Sequence, residues 1–369
     1  MKEHKICVYA ICKNEIKFVD RWLSSLYEET DYIVVLDTGS TDGTFEFLQN
    51  DPRVFRCEQK VFDPWRFDVA RNYSMRLIPE DTTICVVSDL DQTFRKGWSI
   101  PLKQAFDEGY NSVAGPIIDY DDDNNELKRF FSFNVHSNEA FWGWERPVHE
   151  GLHTQPHGEE KVKHTQDFVI EHHPDYTKTR GGYLEILRNE YKENSLDPMC
   201  AIYYGCELSI RGHHEESFDV FKEAVEKCDL KNFENPMVSC QLYLNLMECY
   251  IERCDLSKAL TLGMEALDFK VNTRRFFYTL SKCSLDNNFK IFWLERALSV
   301  KVNVADWTED VWLFEGCIED ELSLLYYYNG DIPKAKHYGV LAFDLYHQKG
   351  DTDNYERVKN NLAYYEERS

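Results

Sequence analysis

The sequence predicts two domains of different class: an α/β domain with a mostly parallel sheet, followed by an all-α domain of helical repeats. The chain has 369 residues, enough for two domains of ordinary size. Apolar residues make up 43% of it and aromatic residues 14%, so each domain can bury a core. In the first half, short β-rich runs alternate with helical periods, whereas the second half is helical throughout. We place the boundary after residue 192, which gives domains 1–192 and 193–369.

The first half alternates strand-like and helix-like segments. In chain order they are the strand ICVYAI, the helix IKFVDRWLSSLYEET, the strand YIVVLD, the helix TFEFLQN, the strand VFRCEQ, the helix FDVARNYSMRLI and the strand TICVVSD. Such alternation is typical of βαβ units on a mostly parallel sheet. YIVVLD and TICVVSD are continuous apolar runs that end in an acid, and open α/β sheets bind ligands at the carboxyl ends of their strands. The acids at these ends are therefore candidate ligand-binding residues.

From about Tyr183 the sequence is helical and repetitive. Four segments fit the pattern of tetratricopeptide units. Their marker residues include Tyr204-Gly205, Leu246-Met247, Phe277 with Ala297, and Ser323 with Tyr326. The turns CDLSKA and GDIPKA recur at equivalent positions. Because the spacing between units is irregular, a degenerate repeat array and an irregular helical bundle both account for this half.

The charge and the segment pattern exclude several partners. The chain carries 42 Lys+Arg against 65 Asp+Glu, a formal net charge of −23. Nucleic-acid binding needs clustered basic residues, so nucleic acid is not expected as a partner. No stretch reaches the ~18 consecutive apolar residues of a membrane span, and the first residues do not form a signal peptide. The twelve cysteines are scattered without a CxxC pair, so we expect a cytoplasmic protein.

Polar segments follow the first two predicted strands. Asn14 and Glu15 come directly after the first strand, where a cap for the next helix is the simplest interpretation. In LDTGSTDGT, Asp37 ends a buried strand, while Gly39 and Gly43 permit tight turns. A plain strand–turn–helix corner accounts for this segment. An acid beside a cluster of backbone N–H groups also suits the base and ribose of a nucleotide.

Two carboxylates one residue apart, Asp89 and Asp91, follow the strand TICVVS. They would repel each other unless a positive group compensates. Hard oxygen ligands this close together suit Mg²⁺ or Mn²⁺ bridging a diphosphate. Since isolated D-x-D pairs are common, the position at a strand end is what makes this pair a candidate metal site.

The segment WGWERPVHE combines two aromatic residues with an adjacent His149-Glu150 pair. It is either a packed, hydrogen-bonded loop or a sugar platform with a carboxylate base. Farther along, His172 and His173 are either structural or a source of one more metal ligand.

Together these segments resemble the family 2 glycosyltransferases with a GT-A fold. KNE, LDTGSTDGT, FDVARN, SDLD, KRFF and RPVHE match, in order, the family's KNE, D-x-G-S-x-D-G-T, F-x-x-A-R-N, D-x-D, R-x-F and G-x-x-H-E blocks. The resemblance in sequence covers residues 5–192. The repeats that follow resemble the family's in their architecture only. The sequence is most similar to the bacterial subgroup with helical repeats after the catalytic domain, which includes the peptide S-glycosyltransferases of glycocin pathways. It departs from the family pattern at Gln92, where an acid is usual, and at Glu145-Arg146-Pro147, where a glycine is usual.

The resemblance implies transfer of a sugar from a nucleotide diphosphate sugar, with UDP-sugar as the first expectation, and inversion at the transferred carbon. Glu150 would be the general base, with His149 orienting it or the donor. Asp91, Asp89 and His172 would hold a divalent metal, Mn²⁺ or Mg²⁺. The residues implied in nucleotide-sugar binding are Ala10, Ile11, Asn14, Glu15, Asp37, Arg71, Asp89, Arg129 and Trp144.

The acceptor stays open at the level of sequence. The concave face of a repeat array suits an extended peptide or protein, and the repeats also offer a surface for homo-oligomer formation. The alternatives are a glycan, a lipid-linked precursor or a modified nucleobase. An alternative of another class is a non-catalytic repeat scaffold with a degenerate nucleotide-binding domain.

Overall fold

The computed structural model describes residues 4–121, 123–124, 126–139, 142–154, 158–175, 177, 182–301 and 311–367. The chain folds into two compact units, Met1–Ile186 and Leu187–Ser369. This division lies within the helix Tyr183–Glu193, which also contains the boundary that we predicted from the sequence. No described helix combines the length and the apolar character needed to cross a membrane.

The first unit begins with alternating strands and helices and continues with successive strands. Its strands are β1 (Ile6–Cys12), β2 (Tyr32–Asp37), β3 (Arg56–Gln59), β4 (Ile84–Val87), β5 (Gln92–Phe94), β6 (Ser112–Tyr120), β7 (Glu126–Ser137), β8 (Trp142–Glu145), β9 (Gly151–Thr154), β10 (Val162–His164) and β11 (Ile170–His172). Its helices are α1 (Ile16–Leu26), α2 (Thr44–Asn50), α3 (Phe67–Met75) and α4 (Ser99–Asp107), and α5 (Tyr183–Glu193) follows at its end.

The described strands form one large mixed sheet and one small sheet. The large sheet has the order β3-β2-β1-β4-β7-β6-β11-β5, with β10 also paired to β6, and β8 pairs with β9 separately. β3, β2, β1 and β4 are mutually parallel, as predicted, but β7 lies antiparallel between β4 and β6. Only residues 121–125 separate β6 from β7, too few for the crossover that a parallel pair needs. The sheet is therefore mixed, and five of the eight pairings described in it are parallel, in agreement with the mostly parallel sheet that we predicted.

Both faces of the central strand β1 are covered, which explains its continuous apolar run. Alternate residues contribute to two separate cores, Ile6 and Val8 on the side of α1 and Cys7 and Tyr9 on the side of α3. The helix α1 has six apolar residues; Ile16 at its start is exposed, and the other five are buried at helical spacing: Phe18, Val19, Trp22, Leu23 and Leu26. Because the two layers fix the strands, the polar segments after β1, β2 and β4 lie at the carboxyl edge of the parallel part of the sheet.

Every described element of the second unit is helical. The α-helices are α6 (Pro198–Ile210), α7 (His214–Lys227), α8 (Pro236–Glu252), α9 (Leu256–Ala266), α10 (Arg274–Ser281), α11 (Asn287–Leu298), α12 (Cys317–Tyr328), α13 (Ile332–Lys349) and α14 (Thr352–Glu366). Two short 3₁₀ helices, Leu267–Phe269 and Val311–Phe314, lie between them. The four units predicted from the sequence coincide with the packed pairs α6–α7, α8–α9, α10–α11 and α12–α13.

The repeated residues have repeated roles in this unit. Asp255 and Asp331, from the two similar turns, accept hydrogen bonds from the backbone N–H groups of Lys258 (3.3 Å) and Lys334 (3.1 Å) and so cap α9 and α13. Small residues occur where helices approach closely. A Cβ atom at Gly205, for example, would lie only 2.3 Å from the ring of Phe221.

Candidate active site

Arg71 of α3 joins two of the sequence-predicted carboxylates. Its side chain is buried, its Nη2 donates to Oδ1 of Asp89 at 2.8 Å, and its Nε donates to Oε1 of Glu150 at 3.1 Å. Burial by itself would lower the pKa of Arg71, but the charges of Asp89 and Glu150 and their hydrogen bonds raise it. The remaining donor, Nη1, is buried and has no hydrogen-bond partner among the described residues. The site therefore contains a fixed cation with one donor group unused.

Glu150 lies just before β9, and its side chain is 14% exposed. Burial raises the pKa of Glu150 above its ordinary value, although the charge of Arg71 opposes this. The segment before it is anchored, because the backbone N–H of Phe67 donates to the carbonyl oxygen of Pro147 at 3.0 Å. A partly desolvated, positioned carboxylate is chemically suited to accept a proton.

The ring of Trp144 packs against the guanidinium group of Arg71. The centre of its ring system lies 5.4 Å from the Arg71 guanidinium carbon, and its indole N–H donates to the hydroxyl oxygen of Tyr9 at 3.1 Å. The Asn72 side chain accepts from the backbone N–H of Trp144 at 2.9 Å and donates to its carbonyl oxygen at 2.7 Å. Sequence reasoning missed Asn72, although it is the last residue of the FDVARN segment. Asn72 fixes β8 to α3 and thereby holds Trp144 against Arg71.

Tyr9 also reaches His136, a buried residue of β7. The Tyr9 hydroxyl lies 2.9 Å from Nε2 of His136, and Nδ1 of His136 lies 2.8 Å from the carbonyl oxygen of Ser137. Since Nδ1 must carry the proton to bond a carbonyl, Nε2 accepts from Tyr9. Burial lowers the pKa of His136 to about 4, so it is neutral near pH 7. These bonds satisfy the polar groups behind Trp144 without placing a second charge there.

A second cluster contains Asp91, His172 and Asp119. Nδ1 of His172 lies 2.8 Å from Oδ1 of Asp119, and Nε2 lies 3.3 Å from Oδ2 of Asp91. Burial would lower the pKa of His172, but the hydrogen bonds and charges of the two carboxylates raise it to about 10. Asp91 also has a buried oxygen, Oδ1, with no hydrogen-bond partner among the described residues. Asp119 is a site residue that sequence reasoning missed.

The three predicted metal ligands do not all converge. Asp91 and His172 are in contact, whereas Asp89 binds Arg71. Within the described ranges, no group of three or more His, Cys, Asp or Glu side chains is arranged to hold a metal ion. The unused oxygen of Asp91 is nevertheless a donor of the type that Mn²⁺ and Mg²⁺ accept. His172, whose raised pKa keeps it protonated, would have to lose a proton before its imidazole could coordinate a metal. Mg²⁺ is usually held by one or two carboxylates together with substrate phosphates, so Asp91 fits a metal that a diphosphate would help to bind.

Asp37 organises the turn after β2. Its side chain is fully buried, and its Oδ1 accepts from the backbone N–H groups of Gly39 (2.9 Å) and Ser40 (2.8 Å) and from the Gln59 amide (2.9 Å). Burial would raise the pKa of Asp37, but these hydrogen bonds lower it. Asp37 is thus an ionised anchor for the turn, and its contact with a nucleotide base stays a prediction.

The segments after β1 and β2 are bound to each other. Asn14 has a φ of 57°, and its side-chain oxygen accepts from the backbone N–H of Thr41 at 2.8 Å. Glu15 occupies the N-cap position of α1, but its side chain forms no capping hydrogen bond, so the capping interpretation does not hold for Glu15. Asp42 of the second segment instead accepts from the backbone N–H of Ile16 at 3.2 Å. The left-handed backbone of Asn14 directs its side chain toward the other segment.

Four predicted site residues belong to neither the Arg71 cluster nor the Asp91 cluster. Ala10 and Ile11 are buried in β1. His149, with a φ of 55°, is exposed and directly precedes Glu150. Arg129 lies on β7, where its Nε and Nη2 each donate to the Glu126 carboxylate at 3.0 Å. The roles of these four residues in nucleotide-sugar binding or catalysis stay predictions.

An α/β domain with a mixed sheet is thus followed by a helical domain of paired helices. The model of the family described as "Glycosyl transferase family 2" matches residues 7–159. The N-terminal part of the chain is a domain of this family, and the helical domain follows it. A comparison with curated proteins found no match.

Several solved structures, two of them described as TPR proteins, are similar to part of the chain. Pseudomonas aeruginosa pilF is 14% identical with a TM-score of 0.37, over 48% of this chain and 72% of its own. TTC0263, a thermophilic TPR protein of Thermus thermophilus, is 17% identical with a TM-score of 0.35, over 49% and 89%. YrrB, a TPR protein with an unusual peptide-binding site, is 15% identical with a TM-score of 0.34, over 49% and 93%. The specific similarity to peptide S-glycosyltransferases stays a prediction.

Proposed function

We propose that this protein is an inverting glycosyltransferase that uses a nucleotide diphosphate sugar, with UDP-sugar as the first candidate. The observation that carries the proposal is the bridge from Arg71 to Asp89 and Glu150, next to the Asp91–His172 pair, in a domain of glycosyl transferase family 2. The arrangement supplies both of the functions that such a displacement needs. Arg71 and the Asp91–His172 pair would stabilise a leaving diphosphate, and Glu150 would accept a proton from the acceptor.

On the leaving-group side, Arg71 provides a fixed positive charge. Its unused Nη1 would donate to a diphosphate oxygen, a role for which a buried, preorganised donor is effective because it needs little reorganisation. Asp91 would hold the divalent metal, joined by His172 once metal binding has displaced the proton from its imidazole. When bound, the metal would neutralise part of the charge that develops on the leaving diphosphate.

On the acceptor side, Glu150 would take the proton. Arg71 binds its Oε1, so Oε2 is the oxygen that would receive the proton as the acceptor attacks the anomeric carbon. The exposed His149 would lie between Glu150 and solvent, where it could orient the acceptor. Trp144, held by Asn72, would keep Arg71 in place during the displacement.

The paired helices of the second unit would hold the polypeptide part of an acceptor, since repeat arrays present extended binding surfaces. Self-association through these helices is also part of the proposal. Both suggestions depend on the architecture of the unit and on no particular residue of it.

The test uses the full chain and a panel of nucleotide diphosphate sugars with Mn²⁺ and no acceptor. One donor should raise the melting temperature and should release its nucleoside diphosphate slowly by hydrolysis. A panel with neither effect would contradict the proposal and favour the alternative of a non-catalytic scaffold.

Arg71→Lys should raise the donor KM and lower kcat/KM by about tenfold, because Lys keeps the charge but loses the fork that binds two carboxylates at once. Steady-state kinetics of donor hydrolysis provide the measurement. Arg66→Lys is the matched control, since Arg66 also binds a carboxylate, Asp68, through two nitrogens but lies outside the site. Equal effects of the two substitutions would remove Arg71 from the proposed role.

A further inference from the structure

Gln92, where the sequence departs from the family pattern, is a buried polar side chain that the proposed function does not use. It is the first residue of β5 and is only 6% exposed. Its Oε1 accepts from the backbone N–H of Asp89 at 3.1 Å, and its own backbone N–H donates to the carbonyl oxygen of Asp89 at 3.1 Å. These two bonds close the turn between the acidic pair and β5, so the position of the Gln92 amide is fixed.

The hydrogen bond from Asp89 also determines the orientation of the Gln92 amide. Because Oε1 accepts a backbone N–H, the other end of the group is the NH₂, which can only donate. Nε2 forms no hydrogen bond with the described residues, and it is not one of the fully enclosed polar atoms. Gln92 therefore offers a hydrogen-bond donor that has no partner in the described part of the chain.

Strand pairing places this donor beside the Asp91–His172 pair. In the register of the sheet, Gln92 is opposite His172 of β11, and His172 is opposite Asp119 of β6. Side chains that are directly opposite on neighbouring strands lie on one face of the sheet. The next row on this face is apolar and buried in one core: Phe94, Ile170 and Ile117. A polar row that contains the Gln92 amide thus lies at the strand ends, directly beyond an apolar row.

The ligand atoms expected beside this polar row are phosphate oxygens. Asp91 is the carboxylate that would hold the metal, and a metal bound by one or two carboxylates takes further oxygens from substrate phosphates. These oxygens accept hydrogen bonds and carry negative charge. An amide NH₂ can bind them, whereas a carboxylate at the same position would repel them.

We infer that Nε2 of Gln92 donates a hydrogen bond to the diphosphate of the nucleotide sugar and so binds part of this ligand without a metal. The identity of the ligand rests on the proposed function, whereas the unpartnered donor rests on the geometry of Gln92 alone. Gln92 is then a binding residue as well as part of the turn that holds Asp89. Without a metal, the site keeps affinity for a diphosphate through Arg71 and Gln92 together.

The test measures binding of UDP and of inorganic pyrophosphate to the full chain by calorimetric titration, in chelator and with Mn²⁺. Gln92→Glu keeps an oxygen for the N–H of Asp89 but replaces the donor by a charged acceptor. In chelator, its affinity for both ligands should fall tenfold or more. With Mn²⁺ the fall should be smaller, because the new carboxylate next to Asp91 offers the metal a second ligand.

Gln104→Glu is the matched control, because Gln104 is an exposed glutamine of α4 and its replacement adds the same charge outside the site. It should bind both ligands as the wild type does. Gln92→Met is a second variant, of similar length, that removes the donor without adding a charge. Its affinity in chelator should also fall, and it decides the matter if the melting temperature shows that Gln92→Glu does not fold.

Wild-type affinity of Gln92→Glu for both ligands in chelator would overturn the inference and leave the proposed function intact. Binding of UDP by the wild type only with Mn²⁺ would also overturn it, because Gln92 would then hold no diphosphate without a metal. A loss for UDP but not for pyrophosphate would assign the amide to the nucleoside and overturn it in the same way. Failure of the wild type to bind UDP in either condition would contradict the inference and the expected UDP-sugar donor together, so the two failures are distinguishable.

Discussion

Replacement of Glu150 by glutamine should lower kcat by about 10²-fold or more while donor binding is retained. Glutamine has nearly the same shape as glutamate, and its amide oxygen can still accept the hydrogen bond from Arg71. It cannot accept a proton from the acceptor, so the loss should fall on the chemical step. Steady-state transfer kinetics and a donor-binding titration measure the two effects separately.

The pH dependence of kcat provides an independent test of the proposed role of Glu150. In the proposed mechanism the ionised form of Glu150 is the base, so kcat should fall as the pH drops through its pKa. Since burial raises this pKa, the fall should begin at a higher pH than an exposed glutamate would produce. Glu150→Gln should lack this acid limb.

Glu145→Gln is the matched control, because Glu145 is an exposed glutamate five residues earlier on β8. It should keep both the wild-type kcat and the acid limb. Normal turnover by Glu150→Gln combined with inactivity of His149→Ala would reverse the two roles and contradict the assignment.

The sequence predicted that Asp89 and Asp91 follow a buried strand, but it did not predict the directions of their side chains. Asp89 and Asp91 both follow β4, which led us to treat them as one metal pair. In the structure, the intervening Leu90 is buried, Asp89 binds Arg71, and Asp91 contacts His172. Two residues that are close in sequence can therefore serve two different clusters, because the loop geometry that directs them is not encoded in their spacing.

The missed residue Asp119 was detectable by a rule that the sequence analysis had already applied. It stands near the end of the apolar run of β6, just as Asp37 ends that of β2. Asn72 carried no such signal, since its function depends on β8, which pairs with β9 in a separate small sheet. The short strands β10 and β11, with three residues each, were also beyond prediction. A run of that length shows no periodicity, and only pairing with distant strands defines it: β10 pairs with β6, and β11 pairs with β6 and β5.

The helical half was easier to predict, because its signals are local. Buried alanines recur in the second helix of each pair, among them Ala224, Ala259, Ala297, Ala335 and Ala342. Each allows close packing between neighbouring helices, so the pattern in the sequence follows directly from the packing. The mixed sheet, in contrast, depends on pairings between residues that are far apart in the chain.

Asp91→Asn should abolish turnover and make donor binding insensitive to Mn²⁺, with the fold intact. The buried Oδ1 of Asp91 has no hydrogen-bond partner among the described residues, so a neutral amide there removes the charge that would attract the cation. Calorimetric titration of UDP with Mn²⁺ and with chelator gives the metal dependence of binding, and the melting temperature reports on the fold.

The matched control for this change is Asp20→Asn, at a mostly exposed aspartate that pairs with Arg53. It should retain turnover and the full Mn²⁺ dependence. Full activity of Asp91→Asn in chelator would contradict the metal assignment. The leaving diphosphate would then have to be stabilised by Arg71 without a metal at this carboxylate, and the contact between Asp91 and His172 would be structural.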